Sequence, residues 1–99
     1  EIQNSKKVYV VYEFDYGDFS KEIEARTTIF GAFMDKKRAK KVAFDLLQEG
    51  LDTYYISKYI KNLKNPFSEY DEVELYEKED EDMQDKPVYY IKIEEVNFE

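Results

Sequence analysis

The chain has 99 residues, which suits one domain with a modest core. It has no cysteine and no histidine, which excludes a disulfide framework, a thiolate metal site and the usual general bases and nucleophiles at neutral pH. Its net charge of −8 is spread unevenly: residues 1–35 have seven acids and four bases (−3), residues 36–64 three acids and eight bases (+5), and residues 69–99 thirteen acids and three bases (−10).

Starting at Glu1 rather than Met suggests processing, and residues 1–6 are expected to be disordered. No signal-peptide pattern stands at the N-terminus and no apolar run approaches the roughly 20 residues of a membrane span, so a cytoplasmic location is expected. The run Lys7 to Tyr16 is β-branched and aromatic and reads as a strand. Val8, Val10, Tyr12 and Phe14 share one face and Tyr9 and Val11 the other, so its first half is apolar on both faces and belongs in a sheet interior. Tyr16-Gly17-Asp18 signals a turn. A second strand follows over Lys21 to Phe33, with Ile23, Ala25, Thr27 and Ile29 alternating with Glu22, Glu24, Arg26 and Thr28. Gly31 within it suggests a bulge or a close backbone approach. The two strands form a hairpin.

Asp35 is placed to cap a helix over Lys36 to Glu49. Ala39, Val42, Ala43, Leu46 and Leu47 form its core stripe, and Lys37, Lys40 and Lys41 lie opposite. Gly50 is expected to end it in a left-handed conformation. Ile56, Ile60 and Leu63 recur at helical spacing, predicting a second helix over Thr53 to Lys64, although the Tyr and Ile content also permits a strand. Two further strands follow, Glu72 to Lys78 and Val88 to Val96. The charged connection 79–87 between them reads as a mobile acidic hairpin loop. The expected architecture is one α+β domain over residues 1–99, β-β-α-α-β-β, with a four-stranded antiparallel sheet and helices on one face.

Ten of the seventeen residues from Glu69 to Asp85 are Asp or Glu. Carboxylate pairs can perform acid–base chemistry, but that needs a cleft which one thin core rarely builds, so no catalytic role is expected. Asp80, Asp82 and Asp85 resemble part of a calcium loop, but Asp85 stands where the loop wants Gly and Ile91 where it wants Glu, so no metal or other cofactor is expected. Two readings stand for the acidic run: a solubilising hairpin, or a partner-binding surface formed by Glu69, Tyr70, Asp71, Glu72, Glu74, Tyr76, Glu77, Glu79, Asp80, Glu81 and Asp82. In the second, carboxylates at strand pitch enter a groove built for phosphate and Tyr70 and Tyr76 act as anchors. An alternative site is the basic stripe Lys36, Lys37, Arg38, Lys40 and Lys41, which suits phosphates although the net charge opposes nucleic acid. The same lysines could instead pair with the acidic run. Ten Tyr and seven Phe suit a core of large rings or a Tyr-rich sheet face that forms a homodimer.

The runs VYVVYEFD, GAFMDKKRAKKVAFDLL and YYIKIEEV resemble small uncharacterised proteins of bacteria and phages, built as a strand hairpin, a helix and a closing strand. The likeness covers roughly two-thirds of the chain and includes no catalytic motif. By size and acidity alone, the chain is similar to phage anti-CRISPR proteins and DNA-mimic inhibitors. That similarity implies a basic nucleic-acid-binding protein as partner, such as a CRISPR effector nuclease, and transfers no residue.

Overall fold

In the computed structural model, residues 6–57, 60, 63–77 and 87–98 are described. The first strand, β1 (Lys6–Asp15), is bonded on both edges. On one side it meets β2 (Arg26–Phe33), and on the other β5 (Tyr89–Phe98), in an unbroken register from Lys6↔Phe98 to Asp15↔Tyr89. Its apolar first half therefore suits an interior strand, as expected. β5 pairs in turn with β4 (Glu72–Glu77), and β4 with the two-residue β3 (Tyr54–Tyr55). The antiparallel order is β2-β1-β5-β4-β3, giving five strands rather than four.

The connection from β1 to β2 is wider than the sequence suggested. Asp15 accepts from the Gly17 N–H at 2.8 Å, and Gly17 takes a φ of +75° that favours glycine. A Cβ there would meet the Ile23 carbonyl oxygen and come within 2.7 Å of the Glu24 carbonyl carbon. Asp18 then accepts from both the N–H and the hydroxyl of Ser20 and bridges to Ile23 around a short 3-10 turn. These local side-chain bonds compete with the ladder. β2 consequently begins at Arg26, and Ile23 and Ala25 belong to the turn. The expected bulge is present, with Val11 opposite Gly31 but Tyr12 opposite Ile29, so Phe30 is the extra residue.

The helix α1 (Lys36–Gly50) starts at its expected cap, where Asp35 accepts from the Lys37 N–H at 2.9 Å. Ala39, Ala43 and Leu47 are buried, and Val42 and Leu46 flank them. The two alanines leave room for close approach to the sheet, where Val11, Ile91, Ile93, Val73 and Leu75 complete the core with Phe67. Each large aliphatic or aromatic side chain so buried contributes about 1.5–3 kcal/mol. The expected role of Gly50 needs correction. It is the last helical residue, lacks a positive φ, and is followed by Leu51 in a right-handed conformation. Its missing side chain serves packing instead, because a Cβ would meet the Tyr89 hydroxyl and lie 2.8 Å from Leu75 Cδ2.

The second predicted helix is also corrected. Tyr54 and Tyr55 pair with Glu77 and Tyr76 as β3, and Pro66–Ser68 forms a 3-10 turn capped by Asn65. Aromatic residues suit a pleated, half-buried surface, and the free edge of β4 offered one. Ile56 and Ile60 pack against the core without an intervening helix among the described residues. Lys6 belongs to β1, whereas residues 1–5 and 78–86, including most of the expected mobile loop, lie outside the described residues.

Half-buried Glu13 makes the stability depend on pH. Glu13 lies on the helix side of β1, and burial, then Asp15 and Glu49, push its carboxyl above the ordinary glutamate range. As pH rises from about 4, the unfolded chain releases this proton first, so stability falls until the folded carboxyl also ionises. Glu13→Gln is therefore expected to be more stable than the parent at pH 7 and to lose that advantage at about pH 4. Urea titrations of both proteins at the two pH values check the sign.

Candidate functional site

α1 covers one face of the sheet, packing on β1, β2 and β5. Strand alternation sends Val73, Leu75, Ile91 and Ile93 toward it and their neighbours to the opposite face, which is left open by the described elements. Glu72 and Glu74 thus stand on the open face in register with Lys92 and Tyr90. One strand further, Tyr90 is opposite Phe14, and Lys92 opposite Tyr12. The expected ordering of Glu72, Glu74 and Tyr76 along one side of a strand is what the structure displays.

The centre of this face is aromatic. Phe14 lies 5.2 Å from Tyr16 and 5.5 Å from Tyr90, measured between ring centroids, and Tyr90 lies 5.8 Å from Tyr16 and 6.2 Å from Tyr12. Edge-to-face packing dominates, which suits the ring quadrupoles. Carboxylates surround the rings. The Tyr12 hydroxyl donates to Glu94 at 3.1 Å, the Tyr76 hydroxyl donates to Glu74 at 3.3 Å, and Lys92 lies 3.7 Å from Glu94. Burial, followed by the Tyr90 and Glu94 hydrogen bonds, pushes the Tyr12 phenol well above its ordinary range. Burial and then Glu74 and Glu72 raise Tyr16. Both phenols remain protonated donors at neutral pH. The face can therefore offer rings for apolar contact, hydroxyl donors and an excess of negative charge.

Beside the rings, Val10, Tyr12, Thr27, Ile29, Glu94 and Val96 line a shallow, mainly apolar groove of about 350 Å³. Ile29 is 68% exposed there.

The other predicted site residues are dispersed. Glu69 and Tyr70 follow the 3-10 turn and are exposed. Asp71 approaches Lys36 at 3.9 Å, and Glu77 ends β4 opposite Tyr54. Glu79, Asp80, Glu81 and Asp82 lie outside the described residues. On α1, Lys36 also sits 5.9 Å from the Tyr9 ring centre, Arg38 sits 5.9 Å from that of Phe33, and Lys41 pairs with Asp45 at 3.5 Å. Lys37 is exposed and Lys40 half-buried. Pairing between the basic stripe and the described part of the acidic run is limited to Lys36 and Asp71, because the sheet separates α1 from Glu72 and Glu74.

Tyr12, Phe14, Tyr16, Tyr90, Lys92 and Glu94 were not among the predicted binding residues. Their period-two spacing was visible in each strand; the pairing of β1 with β5 that unites them was not. Among the described residues, no group of three or more acidic, His or Cys side chains is placed to hold a metal ion. No described helix is long and apolar enough to cross a membrane. The chain matches no protein-family model, no curated protein and no solved structure.

Proposed function

We propose that this chain is a non-catalytic interaction protein that docks its open sheet face on the basic surface of a nucleic-acid-binding protein and blocks nucleic acid there. The observation that supports this reading is the shared face of Glu72, Glu74 and Glu94 with Tyr12, Phe14, Tyr16 and Tyr90. Glu72 and Glu74 are spaced at about 6.8 Å along an extended strand, close to two rises of a nucleic-acid strand at about 3.4 Å each. Negative charge steers the encounter with a cationic groove, and the rings supply the desolvated centre that charge alone lacks. A CRISPR effector nuclease, the partner implied by the likeness in size and acidity, is one member of this class, and a phage or mobile-element inhibitor is the corresponding source. Binding of nucleic acid through α1 has less support, since Lys36 and Lys41 already face Asp71 and Asp45.

The test is a binding titration of the purified chain against a panel of effector nucleases and other basic nucleic-acid-binding proteins, with and without DNA. Binding should be competed by DNA and should weaken steeply between about 50 and 200 mM salt. The double variant Glu72→Lys/Glu74→Lys should lose about 2 kcal/mol or more of affinity, roughly thirtyfold. Undiminished binding by that variant would refute the acidic-face mechanism.

A further inference from the structure

The groove beside the aromatic cluster combines an aliphatic lining with a single carboxylate. Three strands build it, because Tyr12 is opposite Ile29 of β2 and Val10 is opposite Glu94 of β5. Val10 is half-buried, whereas Val96 and Ile29 are exposed. Glu94 is the one charged residue of the lining. The Tyr12 hydroxyl donates to Glu94 Oε1 at 3.1 Å, which holds the carboxylate at the groove wall. Lys92 lies 3.7 Å from the same oxygen but is no part of the lining. Their side chains are 34% and 50% exposed, and ion pairs as open as this are weak. An ionised carboxylate has about four lone-pair positions, so these two contacts leave Glu94 able to accept more.

On the helix side, the chain completes a similar pattern with a cation of its own. There Lys36 lies 5.9 Å from the Tyr9 ring centre and 3.9 Å from Asp71, a cation shared by a ring and a carboxylate. On the open face Tyr12 and Glu94 supply the ring and the carboxylate, with an aliphatic groove beside them. We propose that this groove is an anchor site for one arginine side chain of a protein partner. The aliphatic stem of that arginine lies along Val10, Ile29 and Val96, and its guanidinium meets the Glu94 carboxylate and the Tyr12 ring. The inference rests on the docking function proposed above, which requires a basic partner, and assigns the groove a part in it.

Charge and shape select this occupant. A wholly apolar side chain would cover the valines and Ile29 but strip water from Glu94 with nothing in return. An anionic ligand is repelled by Glu94 and by the net charge of −8. Lysine and arginine both bury an apolar stem while presenting a charged head, which fits a groove that is aliphatic with one acidic wall. Arginine fits better than lysine. Its planar fork can engage both oxygens of a carboxylate, it is more weakly hydrated than an ammonium, and it stacks on aromatic faces. The volume of about 350 Å³ is at the low end of the range of about 300–1,000 Å³ for ligand clefts, so it suits one long side chain and not a folded element.

The probe is n-butylguanidinium, which stands for the arginine side chain, titrated into the isotope-labelled full chain and followed by NMR. Saturable shifts of the Val10, Ile29 and Val96 methyl signals are expected, with a dissociation constant on the order of 1–10 mM for so small a ligand. n-Butylammonium should bind about threefold more weakly and the neutral n-butylurea about tenfold more weakly. Glu94→Gln should weaken the guanidinium probe about tenfold and Ile29→Ser about threefold. Both residues are exposed, so neither variant should alter the far-UV circular dichroism. The absence of saturable shifts up to about 50 mM probe, urea binding equal to guanidinium binding, or a Glu94→Gln variant that binds as the parent does would each overturn the proposal. Ammonium binding as tight as guanidinium binding would overturn arginine as the occupant. Glu72→Lys/Glu74→Lys should still bind the probe to within about threefold of the parent, because neither residue lines the groove. Loss of partner docking with probe binding intact would count against the docking function alone. Docking that persists with no probe binding would count against the groove alone.

Discussion

Phe67→Ala is expected to lower the unfolding free energy by about 3–5 kcal/mol, the range for removing a buried aromatic ring. Phe67 is 1% exposed and is the largest fully buried side chain of the described core. It lies on the 3-10 turn Pro66–Ser68, which packs between α1 and β4. Asn65 holds that turn by accepting from the Phe67 N–H at 2.9 Å, and the Ser68 hydroxyl donates to the Asn65 carbonyl at 2.7 Å. The backbone is therefore fixed from outside the core and is poorly able to collapse into the space the ring vacates. With a domain stability of about 5–15 kcal/mol, the loss is a large share of the total. At a urea slope of about 2 kcal/mol per molar, the midpoint should fall by about 2 M. Lys64→Ala, on an exposed neighbour, should remain within about 0.5 kcal/mol of the parent.

Tyr90→Ala is the second large effect and joins stability to function. Tyr90 sits on the open face, half-buried, yet its ring contacts Tyr12, Phe14 and Tyr16 together. Each such pair contributes about 0.5–1.5 kcal/mol beyond burial, and the three share one ring, so their contributions do not simply add. A loss of about 2–3 kcal/mol is expected, with a weakened near-ultraviolet tyrosine signal as the other rings lose their fixed geometry. Tyr90→Phe keeps the ring and should stay within about 1 kcal/mol of the parent. For docking, the alanine variant removes the centre of the aromatic cluster and should cost about 2 kcal/mol or more of affinity at temperatures where it remains folded. If the alanine variant binds the basic partner as well as the parent, the rings are structural alone and the acidic rim would have to act without an aromatic centre.

The local chemistry of the chain was largely legible. Asp35 and the Ala39–Ala43–Leu47 stripe declared a helix because capping and 3.6-residue periodicity act within a few residues. β1, β4 and β5 were visible for the same reason, since alternation and β-branched content are local. Gly31 announced a bulge next door at Phe30. Misreadings arose where two local solutions were close in energy. Tyr54 and Tyr55 fit a helix or a strand, and the open edge of β4 decided between them. Gly50 looked like a helix terminator, but the Tyr89 hydroxyl and Leu75 across the core required its lack of a side chain. Such contacts join residues far apart in sequence and leave no periodic trace.

The candidate site divides along the same line. The amino-acid sequence by itself determined that this chain is acidic, that its acids gather after Glu69, and that Glu72, Glu74 and Tyr76 share one side of a strand, because charge and the two-residue pleat need no knowledge of neighbours. Tertiary structure alone decided that β5 lies between β1 and β4, which brings Phe14 opposite Tyr90 and Glu74 beside it. It also decided that α1 occupies the other face, leaving the basic stripe screened from those carboxylates by the sheet, and that β2 ends the strand order. Strand order is set by burial of the whole apolar surface at once, by Val11, Val73, Leu75, Ile91 and Ile93 meeting Leu47 and Phe67, and no segment holds that information alone.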